Sequence, residues 1–324
     1  MTSNEHTLKA FVTGGAGFIG GHLVDRLLRD GVSVTAYDNL SMGRREHIEQ
    51  HIGNPAFQFI QGDLLDYALL TGSMAGHDTV WHLGANGDIA NGMSNLDQDL
   101  ENGIVATHNV MKAMNANAVG RIIYTSSSTV YGDTDVHPTP ETLAPLFPES
   151  FYGASKLAGE AIISAWCHLF GMHAWMFRFG NIVGSRMRRG VIHDFIVKLR
   201  RNPAVLEILG DGTGEKNFIL VEDCIEGMLT VVQNANVSPC DVFNLGCAST
   251  VKINEIAHIV VDAMGCSDVQ FSYAGGRRGW PGDVPVVMFD TRKVEALGWS
   301  PNHTSGGAVR IAARRLLEDP LFAK

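Results

Sequence analysis

A tyrosine and a lysine four residues apart, Tyr152 and Lys156 in Tyr-Gly-Ala-Ser-Lys, are the pair in this sequence best suited to move a proton. On a helix, the i, i+4 spacing projects both from one face. A phenol with an ordinary pKa of ~10 is a poor base at neutral pH, and an ammonium beside it stabilises the phenolate and lowers that value. Tyr152 then serves as acid and base, with Lys156 as the charge that enables it. A helix surface can produce this spacing by accident. The pair gains meaning from the serine cluster before it, Ser126-Ser127-Ser128, at the end of the apolar run Arg121 to Thr125.

A second constellation lies near the N-terminus. Gly14, Gly17 and Gly20 form G-x-x-G-x-x-G directly after the apolar run Lys9 to Thr13 and open an amphipathic stretch carrying Leu23, Val24, Leu27 and Leu28. Such glycines permit a tight strand-to-helix turn and let a pyrophosphate sit on amides at the positive end of the helix, where Phe18 and Ile19 fall. The next run, Ser33 to Tyr37, ends at Asp38, 18 residues beyond Gly20, with Asn39 following. A carboxylate there binds both adenosine ribose hydroxyls and repels a 2'-phosphate, so the pattern predicts NAD rather than NADP. A third run ends at Gly62-Asp63-Leu64, where Asp63 either bonds the adenine amine or caps the next helix. Arg44 and Arg45, on a Gly-Arg-Arg turn, read as a solvated face.

The elements that must position these groups follow from periodicity. Apolar runs Lys9 to Thr13, Ser33 to Tyr37, Phe57 to Gln61, Thr79 to Leu83 and Arg121 to Thr125 alternate with helical patterns at His22 to Asp30 and Leu100 to Asn115. Near-continuous apolar strands separated by helices predict a parallel sheet covered on both faces, a doubly wound α/β fold. A helix over Tyr152 to Phe170 and a strand over Ala174 to Phe179 extend it. After Asn181 the pattern turns basic and irregular around one helix, Ile192 to Arg200, followed by short buried segments at Phe218 to Val221 and Val242 to Leu245. The expected partition is residues 1–179 with about 217–246 as one domain, and about 180–216 with 247–324 as a smaller lobe.

Composition narrows the class. The net charge of -9 and the absence of any basic run argue against nucleic acid. Five scattered cysteines without a Cys-x-x-Cys pair suggest neither zinc nor thiol exchange and fit a reducing cytoplasm. A polar start and the lack of a long apolar stretch predict no export signal and no membrane anchor. His82, His173 and His193 lack paired ligand spacing and read as structural, so no metal is expected.

The order and wording of the motifs resemble the extended short-chain dehydrogenase/reductase family of nucleotide-sugar enzymes, along nearly the whole chain. The resemblance implies a Rossmann-type domain with a smaller C-terminal substrate-binding lobe, and NAD as cofactor. It implies that Ser127, three residues before the Val of Val130-Tyr131-Gly132, bonds the reacting hydroxyl, with Ser128 beside it. It further implies that Lys156 also binds the nicotinamide ribose, that Asn102 positions that lysine or a nearby loop, and that Asp63 and Leu64 lie at the adenine.

Members that eliminate water carry an Asp-Glu pair where this chain has Ser128 and Thr129, and decarboxylating members place a Glu there. The wording is most similar to UDP-sugar 4-epimerases of the UDP-galactose type, which need no further acid or base. The same resemblance carries Asn181 to the sugar or its phosphate, and Lys216 and Arg278 to the pyrophosphate. Val287 stands where some relatives have a bulky aromatic residue, which leaves room for an N-acetyl group. Arg186, Arg188 and Arg189 either hold a C6 carboxylate, which would make UDP-glucuronate the substrate, or stay solvated. The segment after His82-Leu83 lacks the basic residue many relatives carry. Other readings are a net nucleotide-sugar dehydrogenase and a non-catalytic dinucleotide sensor. The resemblance implies a homodimer, for which the small residues Ala154, Ala158, Gly159 and Ala161 on the Tyr152 helix would allow close packing between subunits; packing within the monomer is the alternative.

Overall fold

The computed structural model describes residues 7–87, 89, 94–319 and 322. Strands β1 (Lys9–Thr13), β2 (Ser33–Asp38), β3 (Phe57–Gln61), β4 (Thr79–His82), β5 (Arg121–Ser127) and β6 (His173–Phe179) are separated by helices α1 (Phe18–Arg29), α2 (Tyr67–Ser73), α3 (Ala106–Ala116) and α4 (Phe151–Phe170). Then follow β7 (Asn181–Val183), α5 (Val191–Arg201), β8 (Val205–Ile208), β9 (Glu215–Lys216), β10 (Phe218–Leu220), α6 (Val221–Asn234) and β11 (Cys240–Leu245). The chain continues through β12 (Val251–Lys252), α7 (Ile253–Met264), β13 (Gln270–Tyr273), α8 (Arg292–Glu295) and α9 (Ser305–Glu318).

Seven strands form one sheet in the order β11-β6-β5-β4-β1-β2-β3, the doubly wound arrangement that the alternating pattern predicts. β1 lies between β2 and β4 and runs parallel to both, with Thr13 opposite Tyr37 on one side and His82 on the other. Central strands are buried nearly end to end, whereas edge strand β3 is not, which is why its sequence reads as less uniformly apolar. Phe11, Tyr37, Val80, Ile122 and Tyr124 of the strands pack with Leu70 of α2, Met74 just after it, Met111 and Met114 of α3 and Ile163 of α4 in one core cluster.

The chain divides into two compact units: 1–126, 154–177 and 236–242 in the first; 127–153, 178–235 and 243–324 in the second. Residues 127–153, 178–179, 217–235 and 243–246 thus fall outside the first unit, unlike the partition drawn from the sequence. Hydrogen bonds tie 127–153 to the second unit: the Tyr131 hydroxyl donates to Asn244 Oδ1 at 2.6 Å, and the Thr139 amide to the Met288 carbonyl at 2.8 Å. β10 pairs with β7 in a small parallel sheet of its own instead of joining the large one. Inside the second unit, α5, α7 and α9 pack together through residues such as Ile192, Phe195, Ile256, Val260, Ala308 and Ala312. Among the described residues no helix is long and apolar enough to cross a membrane.

Candidate active site

The glycine turn is built so that side chains cannot enter it. Gly14 has φ +68°, and a Cβ there would lie 2.8 Å from the Gly84 amide nitrogen. A Cβ at Gly20 would lie 2.0 Å from the Gly14 carbonyl oxygen, inside the first turns of α1. Gly17 caps α1 without a side-chain hydrogen bond, and its first turn, starting Phe18-Ile19, has no acidic residue. The positive end of α1 therefore carries neither a capping oxygen nor a competing carboxylate, as an anion site requires.

β2 delivers Asp38 to the edge of this turn. One carboxylate oxygen accepts the Ala16 amide at 3.0 Å, and the other accepts the Leu40 amide at 2.8 Å. Burial raises its pKa, opposed by these two amide bonds. Each carboxylate oxygen has a second lone pair. The group thus fits a diol while held against the turn, and the donor set suits the adenosine half of a dinucleotide. Asp63 Oδ2 accepts Asn39 Nδ2 at 2.9 Å, and its other oxygen accepts the Leu65 amide at 2.8 Å. The cap of α2 is Asp66, accepting the Leu69 amide at 3.1 Å, so the capping reading of Asp63 falls. Leu64 lies against Gly84, and Arg44 and Arg45 are exposed.

His82 links the glycine turn to the helix region opposite. The Thr107 hydroxyl donates to the Gly103 carbonyl at 2.5 Å, so its oxygen receives the proton of His82 Nε2 at 3.1 Å. His82 Nδ1 then accepts from the Thr13 hydroxyl at 2.7 Å, whose oxygen takes the Gly84 amide at 3.1 Å. The imidazole is fully buried and neutral, its pKa pushed down to about 3 by burial and then by the nearby Lys156 charge. The unfolded chain takes up this proton near pH 6.5 and the folded one only near 3, so the stability present above 6.5 is lost as pH falls. Urea unfolding should show a loss of about 3 kcal/mol from this group between pH 6.5 and 4. His82→Gln should flatten that part of the profile, and an unchanged slope would contradict the neutral bridge.

β5 ends at Ser127, whose side chain caps the short turn Ser128–Tyr131. Its Oγ accepts the Thr129 amide at 3.3 Å and the Thr129 hydroxyl at 3.0 Å, which leaves its own proton to donate elsewhere. A Cβ at Gly153 would lie 2.7 Å from the Thr129 carbonyl, so only a glycine lets the first turn of α4, with Tyr152, approach this turn. Lys156 follows one helical turn later, as its spacing predicts. It is 3% exposed, and its Nζ donates to the Thr125 carbonyl at 2.7 Å. Burial lowers its pKa to about 8, against the opposing pull of Asp99 and Glu160. Leu100–Val105 is a π-type turn running into α3. In it, Asn102 donates to the Gln98 carbonyl at 2.9 Å, which ties it to the preceding segment.

The second unit holds the remaining candidates. Lys216 is buried, with Nζ donating to Asp283 Oδ1 at 2.8 Å and to the Val284 carbonyl, so its charge is committed within the protein. Arg278 donates to Asp133 Oδ2 at 3.1 Å and to Glu149, while Arg277 shares Asp133 at 3.0 Å. Sequence reasoning misses these pairings, since Asp133 and Glu149 lie more than a hundred residues from the arginines. Asn181 is exposed on β7, its Nδ2 donating to the Asn217 carbonyl at 3.1 Å. Arg186 has φ +67°, Arg188 faces Asp319 at 3.9 Å and the Phe322 ring, and Arg189 is exposed. Ser128 is half-buried and Val287 buried. In the segment after His82-Leu83 that lacks a basic residue, Asp88, Ala90 and Asn91 lie outside the described residues.

Residues 10–246 match the model of the NAD dependent epimerase/dehydratase family. The chain is 31% identical over 296 residues to a putative UDP-glucose 4-epimerase of Methanocaldococcus jannaschii, covering 90% of this chain and 92% of that one. It is also 31% identical over 305 residues to UDP-glucuronic acid decarboxylase 2 of Arabidopsis thaliana, covering 91% of this chain and 65% of the other. A solved UDP-galactose 4-epimerase matches with a TM-score of 0.86 at 37% identity, covering 96% of this chain and 99% of that one.

Proposed function

The chain belongs to the NAD dependent epimerase/dehydratase family, and from that premise we propose that it inverts carbon 4 of a UDP-hexose of the UDP-glucose/UDP-galactose type. The observation that carries this reading is the buried Lys156 ammonium one turn after Tyr152, with Ser128 and Thr129 where further acid–base chemistry would place carboxylates. Both named 4-epimerase relatives support it.

Gly14, Gly17, Gly20 and Asp38 would hold NAD, with Asn39, Asp63, Leu64 and Asn102 around it. When bound, NAD supplies the hydride carrier that is restored at the end of each turnover. Tyr152 takes the proton of the C4 hydroxyl as the sugar is oxidised, and Ser127 bonds the same oxygen through its remaining proton. Lys156 stabilises the phenolate. Once the keto sugar has turned its other face, Tyr152 returns the proton, so one acid–base group serves both half-reactions. Asn181 and Arg278 are the proposed contacts of the sugar and its diphosphate.

A second reading, UDP-glucuronate, draws support from Arg186 and Arg189 on the loop after Gly184. Arg188 is taken by Asp319 and Phe322, which weakens it. Incubation with UDP-glucose, UDP-galactose, UDP-glucuronate and UDP-N-acetylglucosamine, with carbon-4 inversion followed by NMR and NADH by absorbance, separates these outcomes. Inversion of UDP-glucose or UDP-galactose without net NADH is expected. Stoichiometric NADH or release of carbon dioxide without inversion would replace the reading with a dehydrogenase or a decarboxylase.

We also infer a homodimer through α4, where Phe151, Ala154, Ala161, Leu169 and Phe170 are exposed. A sedimentation experiment showing only monomer removes that inference.

A further inference from the structure

Helix α4 and strand β5 are joined by three consecutive rungs. Tyr124 fits against α4 because Gly159 has no side chain: a Cβ there would lie 2.3 Å from the Tyr124 hydroxyl. The Thr125 carbonyl receives Lys156 Nζ at 2.7 Å. The Ser126 hydroxyl donates to Glu160 Oε1 at 2.6 Å. Tyr124 and Ser126 share a face of the strand, being two residues apart, while Thr125 contributes only its backbone.

Lys156 and Glu160 are thus opposite charges one helical turn apart, 3% and 6% exposed, answered by adjacent residues of one strand. The other groups facing the ammonium are Asp99, 2% exposed and holding the Asn86 amide at 3.0 Å, neutral His82, and the Tyr124 ring, 5.0 Å from Nζ. Asp99 precedes the π-type turn, whereas Glu160 rides on the same helix as Lys156. The helix therefore sets the spacing of the two side chains at their bases, and the bonds to Thr125 and Ser126 hold their ends.

We propose that Glu160 is a positioning residue for the catalytic pair: its carboxylate keeps the Lys156 ammonium charged, and its bond to Ser126 sets which turn of α4 faces the end of β5. The proposal rests on the role of Lys156 given above. A buried ammonium loses its hydration, and a fixed carboxylate nearby offsets that loss. The direction agrees with the opposing influences on Lys156, in which burial acts one way and Asp99 and Glu160 the other.

The test reads Lys156 directly. In protein labelled at lysine side-chain carbons, with Lys156→Met to assign the resonance, the Lys156 titration is followed by NMR without sugar or cofactor. Glu160→Gln keeps an oxygen for Ser126 and loses the charge. It should lower the midpoint by about one pH unit. Ser126→Ala keeps the carboxylate and loses only its tie to β5, so it should move the midpoint less than Glu160→Gln does. Glu160→Asp should restore most of the midpoint, and Glu160→Ala, with the same expected fall, replaces the Gln variant if that one does not fold. The alkaline limb of the kcat/KM profile should move with the midpoint. An unchanged midpoint in Glu160→Gln overturns the proposal. Because the titration needs no substrate, a failed sugar assay leaves this result readable.

Discussion

Tyr152→Phe should lower turnover by about 10²- to 10⁴-fold, the range that a positioned acid–base group contributes. The substitution deletes one oxygen and keeps the ring, so the first turn of α4 retains its packing beside the turn that follows Ser127. KM should change little, because the proposed sugar and diphosphate contacts belong to other residues. The loss should appear in kcat and kcat/KM alike, the signature of an interaction made chiefly in the transition state. Steady-state kinetics on the UDP-sugar identified by the NMR panel measures it, with NAD binding as the control. A variant retaining more than a tenth of wild-type turnover would remove Tyr152 from the mechanism. In the wild type, activity should fall as pH rises through about 8, where the buried Lys156 loses its proton.

The second large effect is expected at Gly20→Ala. In an ordinary helix interior this change is favourable by about 0.5–1 kcal/mol, since alanine has less backbone freedom to lose. Here the new Cβ would meet backbone alone: the Gly14 oxygen at 2.0 Å, the Gly14 carbonyl carbon at 2.9 Å and the Gly15 Cα at 3.0 Å. No flexible side chain is available to move aside, so the turn itself must shift. Overpacking of this kind costs about 1–3 kcal/mol and outweighs the helix gain. The same displacement moves the amides that would cradle a pyrophosphate. NAD affinity should fall by about 10²-fold, as each tenfold corresponds to about 1.4 kcal/mol. Calorimetric titration with NAD and thermal unfolding check both effects. Gly306→Ala in α9 is the contrast, since a Cβ there meets nothing within 4 Å and stability should not fall. Wild-type affinity in Gly20→Ala would sink the assignment of this turn to the cofactor.

Features written in neighbouring residues were legible without coordinates. The glycine spacing, the acidic end of β2 and the Tyr152 to Lys156 interval depend on turn sterics and helix period, which act over a few residues. The alternation of buried strands with helices announced the doubly wound sheet in the same way. Pairings across distance were not legible. Lys216 showed as a charge near a glycine loop, yet its partner Asp283 stands 67 residues away. Nothing in the linear sequence marks Glu160, because its partner Ser126 lies 34 residues earlier. Asp63 had two readings, and the cap at Asp66 removed the one in which it caps the next helix.

By itself, then, the sequence determined the fold class and marked the candidate cofactor turn and the candidate acid–base pair, because each is written in local backbone geometry or a short repeat. Only the tertiary structure decided which charges are buried and what they face. That includes the neutral His82 between Thr13 and Thr107, the committed ammonium of Lys216 and the carboxylates flanking Lys156. The physical reason is that desolvation and pairing depend on what surrounds a group in space, and a linear pattern does not carry that information.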